Sequence, residues 1–356
     1  MLHLDAGRAW RGGQRQVLLL ARGLSERGIR SLLAAPSGSP LALRAQAAGL
    51  EVAPLRTLGD LDLAAVFRLA RLVRRIRPEL IHAHDARSHT TAMLAALLGR
   101  ERPLVVTRRT PFGRRWSPFT RLKYGRGVDL YIAVSQAVRA GLLARGVDPA
   151  RIRVVYSGIE PIAGIQPIDW RARLGLAADA RVVGSVGGLS REKGYGELVD
   201  GVAWLDDARV HLVLVGSGRE RRRLLARARA RGLNGRVHLP GPTQHPRDAM
   251  AGFDLYVQPS RHEGLGTSVL DALALGMPTV AASSGGLREI IEPETSGLLV
   301  PSGSPGALAG AIARLLEDDA LRRTLVEGGR RRAADFSAEA MVEGTMAVYR
   351  ELVGRL

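Results

Sequence analysis

The stretch PSRHEGLGTSVLDALALGMPTVAASSGGLREII (259–291) decides the fold of this chain. It continues from the apolar run LYVQPS (255–260), passes through a Gly-containing turn and enters a helix near Thr267. Gly264 and Gly266 let the backbone approach a ligand closely, because glycine has no side chain. Free amides at the start of a helix suit phosphate or sugar oxygens. The stretch therefore predicts a ligand-facing turn between a strand and a helix.

Two carboxylates stand eight positions apart in this stretch. Glu263, in the turn, is placed to accept hydrogen bonds from sugar hydroxyls. Asp271, about one turn into the helix, is placed to reach ribose hydroxyls on the same ligand. The alternative interpretation makes Glu263 a plain turn residue and Asp271 an exposed acid. The surrounding sequence favours the ligand-binding interpretation.

Short β-like runs alternate with helix-like stretches on both sides of residue 160, which indicates two parallel α/β sheets. Pro and Gly are concentrated in GIEPIAGIQPID (158–169) between the two sets. We therefore expect an N-terminal domain at 1–160 and a C-terminal domain at 161–339. A final helix at about 340–356 is a candidate to pack back on the first domain. The strand-like runs are LHLD (2–5), SLLAA (31–35), LIHAH (80–84), LVVT (104–107), LYIAVS (130–135), IRVVYSG (152–158), RVVGSVGG (181–188), VHLVLVGSG (210–218), RVHLP (236–240), LYVQPS (255–260), PTVAA (278–282) and GLLVP (297–301).

A second candidate ligand loop is VGSVGGLSREKGYGELVD (183–200). Here a strand ends in a Gly-rich turn, and Arg191 and Lys193 precede a helix. Cations beside a helix start form a reasonable clamp for a pyrophosphate. An ordinary turn with exposed charges is the alternative. Lys193 argues against it, because the chain holds two lysines among 52 basic residues.

A third candidate loop is GRAWRGGQRQ (7–16), directly after the first strand. Gly12 and Gly13 are expected to precede a helix whose N-terminus faces an anion, and Arg15 could supplement it. A tight turn without a ligand is the alternative.

The run LIHAHDARSHT (80–90) places His82, His84 and Asp85 at a strand end. Alternating histidines recur in metal sites, but these lie on one strand face without a clear third ligand. We expect His82 to be a core histidine with satisfied hydrogen bonds. The tripeptide DLD (60–62) resembles an Asp-x-Asp metal motif, yet it begins a helix-like stretch, so Asp62 or Asp60 is interpreted as a helix cap.

Four arginines, including Arg108 and Arg109, lie within TRRTPFGRRW (107–116). The alternatives are a solvated loop and an anion-binding acceptor loop, and we favour the second.

Positive charge is concentrated in the first half. Residues 1–160 hold 27 Lys and Arg against 11 Asp and Glu, a net charge of +16, whereas 161–356 carry +2. Codon bias explains arginine in place of lysine but not this asymmetry. A basic half points to an anionic partner: a lipid headgroup, a phosphorylated glycan or nucleic acid. No apolar run reaches the roughly 18 residues of a membrane span. The given sequence opens at LHLD (2–5) without a basic n-region followed by an apolar h-region, the pattern of a signal peptide. The expected location is cytoplasmic, with peripheral attachment to the inner face of the cytoplasmic membrane as a hypothesis.

The strand–EG-x-G–helix element, with ALGMPTVAASSGGLREII after it, resembles the C-terminal signature of family 4 glycosyltransferases. The resemblance implies the GT-B fold, in which two Rossmann-like doubly wound domains face across a cleft. The family carries Glu, seven residues, Glu, whereas this chain has Glu263, seven residues and the shorter Asp271. The resemblance implies that Glu263 contacts the donor hexose and that Asp271 contacts the donor ribose. It also implies that the turn at Gly264, with the amides of Leu265 and Gly266, faces the sugar–diphosphate.

Further roles follow from the same resemblance. Lys193 matches the family lysine of the donor-phosphate loop, while Gly188 stands where the family has arginine, so Arg191 is the candidate replacement. The Gly12–Gly13 loop is implied to reach the donor phosphates and the acceptor. His84 is implied to line the acceptor side near the reacting carbon, and Gly241 is assigned to the base pocket.

The resemblance implies retaining, metal-independent transfer of a hexose-type sugar from a nucleotide-diphosphate donor to a hydroxyl acceptor. We expect no cofactor and no metal, and a glycan or lipid-linked acceptor in cell-envelope, lipopolysaccharide or glycolipid synthesis. Another GT-B enzyme, such as a nucleotide-sugar epimerase or a phosphorylase, is the nearer alternative. A nucleic-acid-binding protein is the remote one, disfavoured because aromatic residues make up only 4% of the chain.

Overall fold

The computed structural model describes residues 1–55, 57, 59, 62–99, 102–110, 123–125 and 127–354. The chain divides into two units. Unit 1 comprises Met1–Gly158 and Ser337–Leu356, and unit 2 comprises Ile159–Phe336.

Unit 1 is built on a parallel sheet of seven strands in its described residues, in the order β3-β2-β1-β4-β5-β6-β7. The order reverses between β1 and β4, which makes their carboxyl ends the topological switch point of the sheet. The strands are β1 Leu2–Leu4, β2 Leu32–Ala35, β3 Glu51–Pro54, β4 Ile81–Ala83, β5 Leu104–Arg108, β6 Leu130–Ala133 and β7 Ile152–Val154.

Strand β3 was not predicted from the sequence. It has four residues, begins with exposed Glu51 and ends with exposed Pro54, so it lacks a long apolar run. Such a strand is tolerated at the edge of a sheet, where β3 lies. The other predicted runs form strands, and the α/β fold class is confirmed.

The helices of unit 1 cover both faces of this sheet, as a parallel sheet requires. Their bounds are α1 Gly12–Glu26, α2 Pro40–Ala47, α3 Leu63–Ile76, α4 Ala86–Leu97 and α5 Gln136–Leu143. Asp62 caps α3 by accepting a hydrogen bond from the Ala65 amide, which confirms the capping interpretation of Asp62. Asp60 lies outside the described residues.

The last helix of the chain, Ala338–Val353, belongs to unit 1. Its buried Val342, Met346 and Tyr349 share a core with Leu20 and Leu24 of α1. Burying such side chains typically contributes about 1.5–3 kcal/mol each, which holds the helix to the first unit although its sequence follows the second.

Unit 2 contains a second parallel sheet, of six strands in its described residues, in the order β10-β9-β8-β11-β12-β13. Its switch point lies between β8 and β11. The strands are β8 Arg181–Val186, β9 Val210–Val215, β10 Val237–Gly241, β11 Leu255–Gln258, β12 Thr279–Ala282 and β13 Leu298–Val300. Its helices are α6 Trp170–Leu174, α7 Tyr195–Ala203, α8 Arg221–Ala230, α9 Pro246–Ala251, α10 Thr267–Leu275, α11 Leu287–Ile290, α12 Pro305–Glu317 and α13 Asp319–Ala334, and the last helix of unit 1 is α14.

Among the described residues, none of the helices combines the length and the apolar character that crossing a bilayer requires.

Candidate functional site

The main candidate site lies in unit 2, at the carboxyl ends of β8 and β11. The loop after β8 contains the turn Arg191–Lys193, and the loop after β11 contains Glu263. The Arg261 amide donates to the Glu192 carbonyl at 2.8 Å, which ties the two loops together. Ligands of open parallel sheets bind at this point, because two loops diverge there from adjacent strands.

Lys193 and Glu263 form the centre of this site. The Lys193 ammonium donates to Glu263 Oε2 at 2.6 Å, and both side chains are largely buried, at 23% and 16% exposed. Burial of Lys193 favours its neutral form, but the Glu263 carboxylate and Tyr195 outweigh it, so the pKa of Lys193 is raised. The lysine therefore stays cationic at neutral pH.

A buried chain of hydrogen bonds fixes Glu263 from the other side. The Ser260 hydroxyl donates to Glu263 Oε2 at 3.0 Å. It accepts a 2.6 Å hydrogen bond from the side-chain nitrogen Nε2 of Gln258. The side-chain oxygen Oε1 of Gln258 accepts from the Tyr256 hydroxyl at 2.8 Å and from the Ser268 hydroxyl at 3.1 Å. These connected hydrogen bonds hold the Glu263 side chain in one orientation. Sequence reasoning missed Gln258, although an amide inside an apolar strand run was a visible signal.

Helix α10 begins at Thr267, as predicted, and its N-terminus opens on the site. Gly266 has φ +103°, and a Cβ there would lie 2.5 Å from Leu287 Cδ2, so the position requires glycine. Among the described residues, the amides of Leu265 and Gly266 have no backbone carbonyl as partner. These two amides can donate to an anion or to a sugar oxygen. Gly264 is buried in the same turn.

Asp271 is buried rather than exposed, which rules out the interpretation of an exposed helix acid. Its carboxylate forms a 2.7 Å ion pair with Arg247, the two side chains being 5% and 16% exposed. Arg247 also donates to the carbonyls of Glu160 at 3.0 Å and Pro161 at 3.2 Å. Sequence reasoning missed Arg247, which couples Asp271 to the first residues of unit 2.

The remaining predicted residues of unit 2 lie around this centre. Arg191 is exposed and shares a 3-10 turn with partly buried Lys193. Gly188 precedes this turn, in the loop after β8. Gly241 ends β10, which two strands separate from β11, and has φ +98°.

In unit 1, Gly12 and Gly13 are the first two residues of α1, not a loop preceding it. The helix starts earlier than predicted because Arg11 is extended and acts as the N-cap position. The two glycines carry no side chains at the start of the first turn, where Gln14 and Arg15 follow. Arg15 lies half-buried in the same turn.

The carboxyl ends of β1, β4 and β5 bring His3, His84 and Arg109 together. Burial lowers the pKa of His3 to about 3, and burial with its His82 neighbour lowers that of His84 well below its usual value. An arginine only donates, so the 3.3 Å contact from Arg109 makes His84 Nδ1 an acceptor. His84 Nε2 therefore carries the proton and donates to His3 Nδ1 at 3.1 Å. Both nitrogens of His84 are thus engaged inside unit 1.

His82 is the satisfied core histidine that was predicted, bonded to Tyr349 at 2.5 Å and Thr107 at 2.6 Å. The prediction that His82 and His84 lack a third ligand was wrong. His3 pairs in register with His82 on the neighbouring strand, so nitrogens of His3, His82 and His84 lie within 4.8 Å of one another. Because His82 and His84 already use both ring nitrogens, the arrangement is a hydrogen-bonded cluster.

Asp5, which the sequence argument did not single out, lies beside this cluster. Burial and the neighbouring Asp85 raise its pKa to about 6. Arg109 is half-buried, and desolvation lowers its pKa to about 10 against the opposing effect of Asp5. Arg108 is the last residue of β5 and is half-buried. The rest of the predicted acceptor loop, from Pro111 onward, lies outside the described residues.

Two sequence families match the chain. Residues 10–162 match Glycosyltransferase Family 4, and residues 168–332 match Glycosyl transferases group 1. The lipopolysaccharide core biosynthesis glycosyltransferase LpsE of Rhizobium meliloti (strain 1021) is 33% identical over 63% of this chain and 65% of LpsE. The 2-deoxystreptamine N-acetyl-D-glucosaminyltransferase of Streptomyces fradiae is 29% identical over 99% of this chain and 95% of its own length.

The fold has close counterparts among solved structures. HepE of Anabaena, solved in complex with UDP and glucose, superposes with a TM-score of 0.87 over 99% of both chains at 24% identity. Among the curated relatives first matched, this chain spans only about half to two thirds of their length, 52% to 65%.

The two doubly wound parallel sheets, with the superposition on HepE, show the GT-B fold. The two matched family models identify the chain as a glycosyltransferase. The chain belongs to the family 4 glycosyltransferases.

Proposed function

We propose that this enzyme transfers a hexose-type sugar from a nucleotide-diphosphate donor to a hydroxyl of a glycan or lipid-linked acceptor, with retention of anomeric configuration and without a metal. The observation that carries the proposal is the contact of Lys193 with Glu263 beside the open start of α10. Such a site offers a cation and free amides to a diphosphate and a carboxylate to sugar hydroxyls.

The residues of unit 2 supply binding and charge stabilisation in this proposal. Lys193, with the amides of Leu265 and Gly266, stabilises the negative charge that develops on the leaving diphosphate, the role a metal has in other transferases. Glu263 orients the sugar through its hydroxyls, and Asp271 accepts hydrogen bonds from the ribose. HepE, whose solved structures hold UDP or UDP-glucose, supports a nucleotide sugar as donor.

The relatives support a role in cell-envelope synthesis. LpsE acts in lipopolysaccharide core biosynthesis, which fits a lipid-linked acceptor at the inner face of the cytoplasmic membrane. The net charge of +16 on residues 1–160 favours an acceptor or a membrane surface of negative charge.

Incubation with radiolabelled UDP- and GDP-sugars and a membrane extract tests the proposal. The expected result is transfer of label to one extractable acceptor from one donor, with release of the nucleoside diphosphate. Interconversion of the nucleotide sugar without an acceptor would instead identify an epimerase. Label released only on addition of inorganic phosphate would identify a phosphorylase, and either result would replace the proposal.

A further inference from the structure

Helix α3, Leu63–Ile76, buries one face and leaves the other uncovered. Ala65, Val66, Leu69 and Val73 are buried against unit 1. Positions 63, 67, 71 and 74 follow helical spacing and form a stripe on the opposite side. All four of these stripe positions are exposed.

The first half of the exposed stripe is apolar. Leu63 and Phe67 are 63% and 62% exposed, the highest values among the large exposed hydrophobic residues described. They stand one turn apart, so their side chains are adjacent. A single exposed hydrophobic residue is normal on a protein surface, but an adjacent pair at the start of a basic helix indicates a contact surface.

The second half of the stripe is basic. Arg71, Arg74 and Arg75 are exposed, and no carboxylate of the described residues pairs with them. Arg68, between the two halves, pairs at 3.7 Å with Asp62, the N-cap of the helix. The uncovered face therefore combines two large apolar side chains with three arginines that pair with no carboxylate of the described residues.

We propose that this face of α3 docks the protein on a bilayer that contains anionic lipid. The three arginines bind lipid phosphates, while Phe67 and Leu63 enter the boundary between headgroups and acyl chains. A nucleic acid would use the cations but would leave Leu63 in water, and a soluble phosphate would use neither apolar side chain. The inference goes beyond glycosyl transfer, since binding requires neither donor nor acceptor.

Helix α8, Arg221–Ala230, provides a matched control. Its exposed Arg222, Arg223 and Arg229 equal the α3 arginines in number and charge. None of the large exposed hydrophobic residues of the described chain lies on α8. Replacing three arginines on either helix changes the net charge of the protein equally. Arg223 also forms an exposed 3.5 Å ion pair with Glu220, which typically contributes less than about 1 kcal/mol.

Flotation of the full chain with phosphatidylcholine vesicles, with and without phosphatidylglycerol, tests the proposal. We expect much stronger binding to the vesicles with phosphatidylglycerol than to those of phosphatidylcholine alone. The triple variant Arg71→Ala, Arg74→Ala, Arg75→Ala should lower the partition coefficient about 100-fold at low salt. The control triple Arg222→Ala, Arg223→Ala, Arg229→Ala should leave it unchanged, and circular dichroism checks that both variants are folded.

A second variant separates lipid insertion from charge attraction. Because salt screens the arginines but not the apolar contact, some wild-type binding should persist at high salt. The double variant Leu63→Ser, Phe67→Ser should remove this salt-resistant fraction, while Trp204→Ser, at another exposed aromatic, should not. Equal losses from both arginine triples, or full binding by the Leu63 and Phe67 variant, would overturn the assignment to α3. Failure to bind either kind of vesicle would overturn docking itself and leave the transferase proposal standing.

Discussion

Lys193 Nζ lies 2.6 Å from Glu263 Oε2, and this ion pair joins the loops that follow two neighbouring strands of the unit 2 sheet. Each side chain neutralises the charge of the other. A donor that draws Lys193 to its diphosphate and Glu263 to its sugar therefore exchanges one set of charged contacts for another. Gly194 permits the close packing of these loops, because a Cβ there would lie 2.0 Å from the Pro259 carbonyl oxygen.

Glu263→Ala should lose most transfer activity while the fold persists. Its carboxylate is held by Lys193 and Ser260 and faces the start of α10. We expect kcat/KM to fall several hundred-fold, equivalent to about 3–4 kcal/mol of transition-state stabilisation. Steady-state kinetics on a variant with an unchanged circular dichroism spectrum measures it. Near-normal turnover in the folded variant would remove Glu263 from the site.

Lys193→Ala should raise the donor KM or depress turnover, because the diphosphate loses its lysine. The other lysine of the chain provides the control. Lys123 donates to the Ala86 carbonyl and to Thr90 within unit 1, so Lys123→Ala should leave the donor KM unchanged. Donor titration of both variants measures the difference. If the Lys193 variant keeps wild-type affinity and turnover, the ion pair is only structural.

Much of the fold could be predicted because local patterns carry it. The alternation of apolar runs with helical stretches gives two parallel sheets, and the turn before Thr267 gives the start of α10. Strand β3 was not predicted, because a strand at the edge of a sheet needs few apolar residues and β3 lacks an apolar run. The start of α1 was misplaced because glycine usually signals a loop, whereas Gly12 and Gly13 take helical conformation here.

The side-chain contacts of the site could be predicted only in part. Glu263 and Lys193 were each identifiable from their own loops, but their contact depends on the order of β8 and β11 in the sheet. Arg247 lies 24 positions before Asp271, in a stretch with no motif, and only the packing of α9 brings them together. His3 was likewise hidden, because its partner His82 is on a neighbouring strand that only topology defines.

Arg247→Ala should raise the donor KM about tenfold with a smaller change in kcat, because Asp271 loses the group that orients it. The matched control is Arg171→Ala, which breaks the ion pair with Asp254 at the opposite end of β11 and should not change the donor KM. In the Asp271→Ala background, Arg247→Ala should add little, since Arg247 acts through Asp271. Equal and additive effects in both backgrounds would contradict this positioning role.

Acidification should destabilise unit 1. Burial holds the pKa of His3 at about 3 and those of His82 and His84 well below their usual value. Below about pH 6.5 the histidines of the unfolded chain take up protons, whereas those of the folded chain do not. Each of the three histidines therefore lowers the free energy of unfolding by about 1.4 kcal/mol for every pH unit that the pH falls. This stabilisation is complete above pH 6.5 and is lost as the pH falls toward the folded pKa values.

Urea unfolding at several pH values measures this dependence. His3→Asn should reduce the steepness by about one proton, because the unfolded chain of the variant lacks the His3 proton. Asp5 acts in the opposite sense, because its pKa near 6 makes protonation favour the folded state. The contribution of Asp5 cancels when the free energy of unfolding of each variant is compared with that of the wild type at the same pH. An identical slope for His3→Asn would mean that His3 is already protonated in the folded protein.

Transfer activity should survive EDTA. The site at Lys193 and Glu263 offers a cation in place of a metal, and Asp62 of the DLD tripeptide is used as a helix cap. Within the described residues, the histidine cluster His3, His82 and His84 is the group whose atoms could converge on an ion. Five of its six ring nitrogens are engaged by Tyr349, Thr107, Arg109 and one another. Of the six, only His3 Nε2 is buried without a hydrogen-bond partner among the described residues.

The measurement is donor turnover before and after prolonged chelation, with metal analysis of the purified protein. Unchanged turnover and a metal content far below one ion per chain are expected. Loss of activity that manganese or magnesium restores would refute the metal-free mechanism and direct attention to oxygen ligands, which these ions prefer. Restoration by zinc alone would instead point to the histidine cluster. His3→Asn would then abolish zinc binding, because it removes one of the three nitrogen ligands.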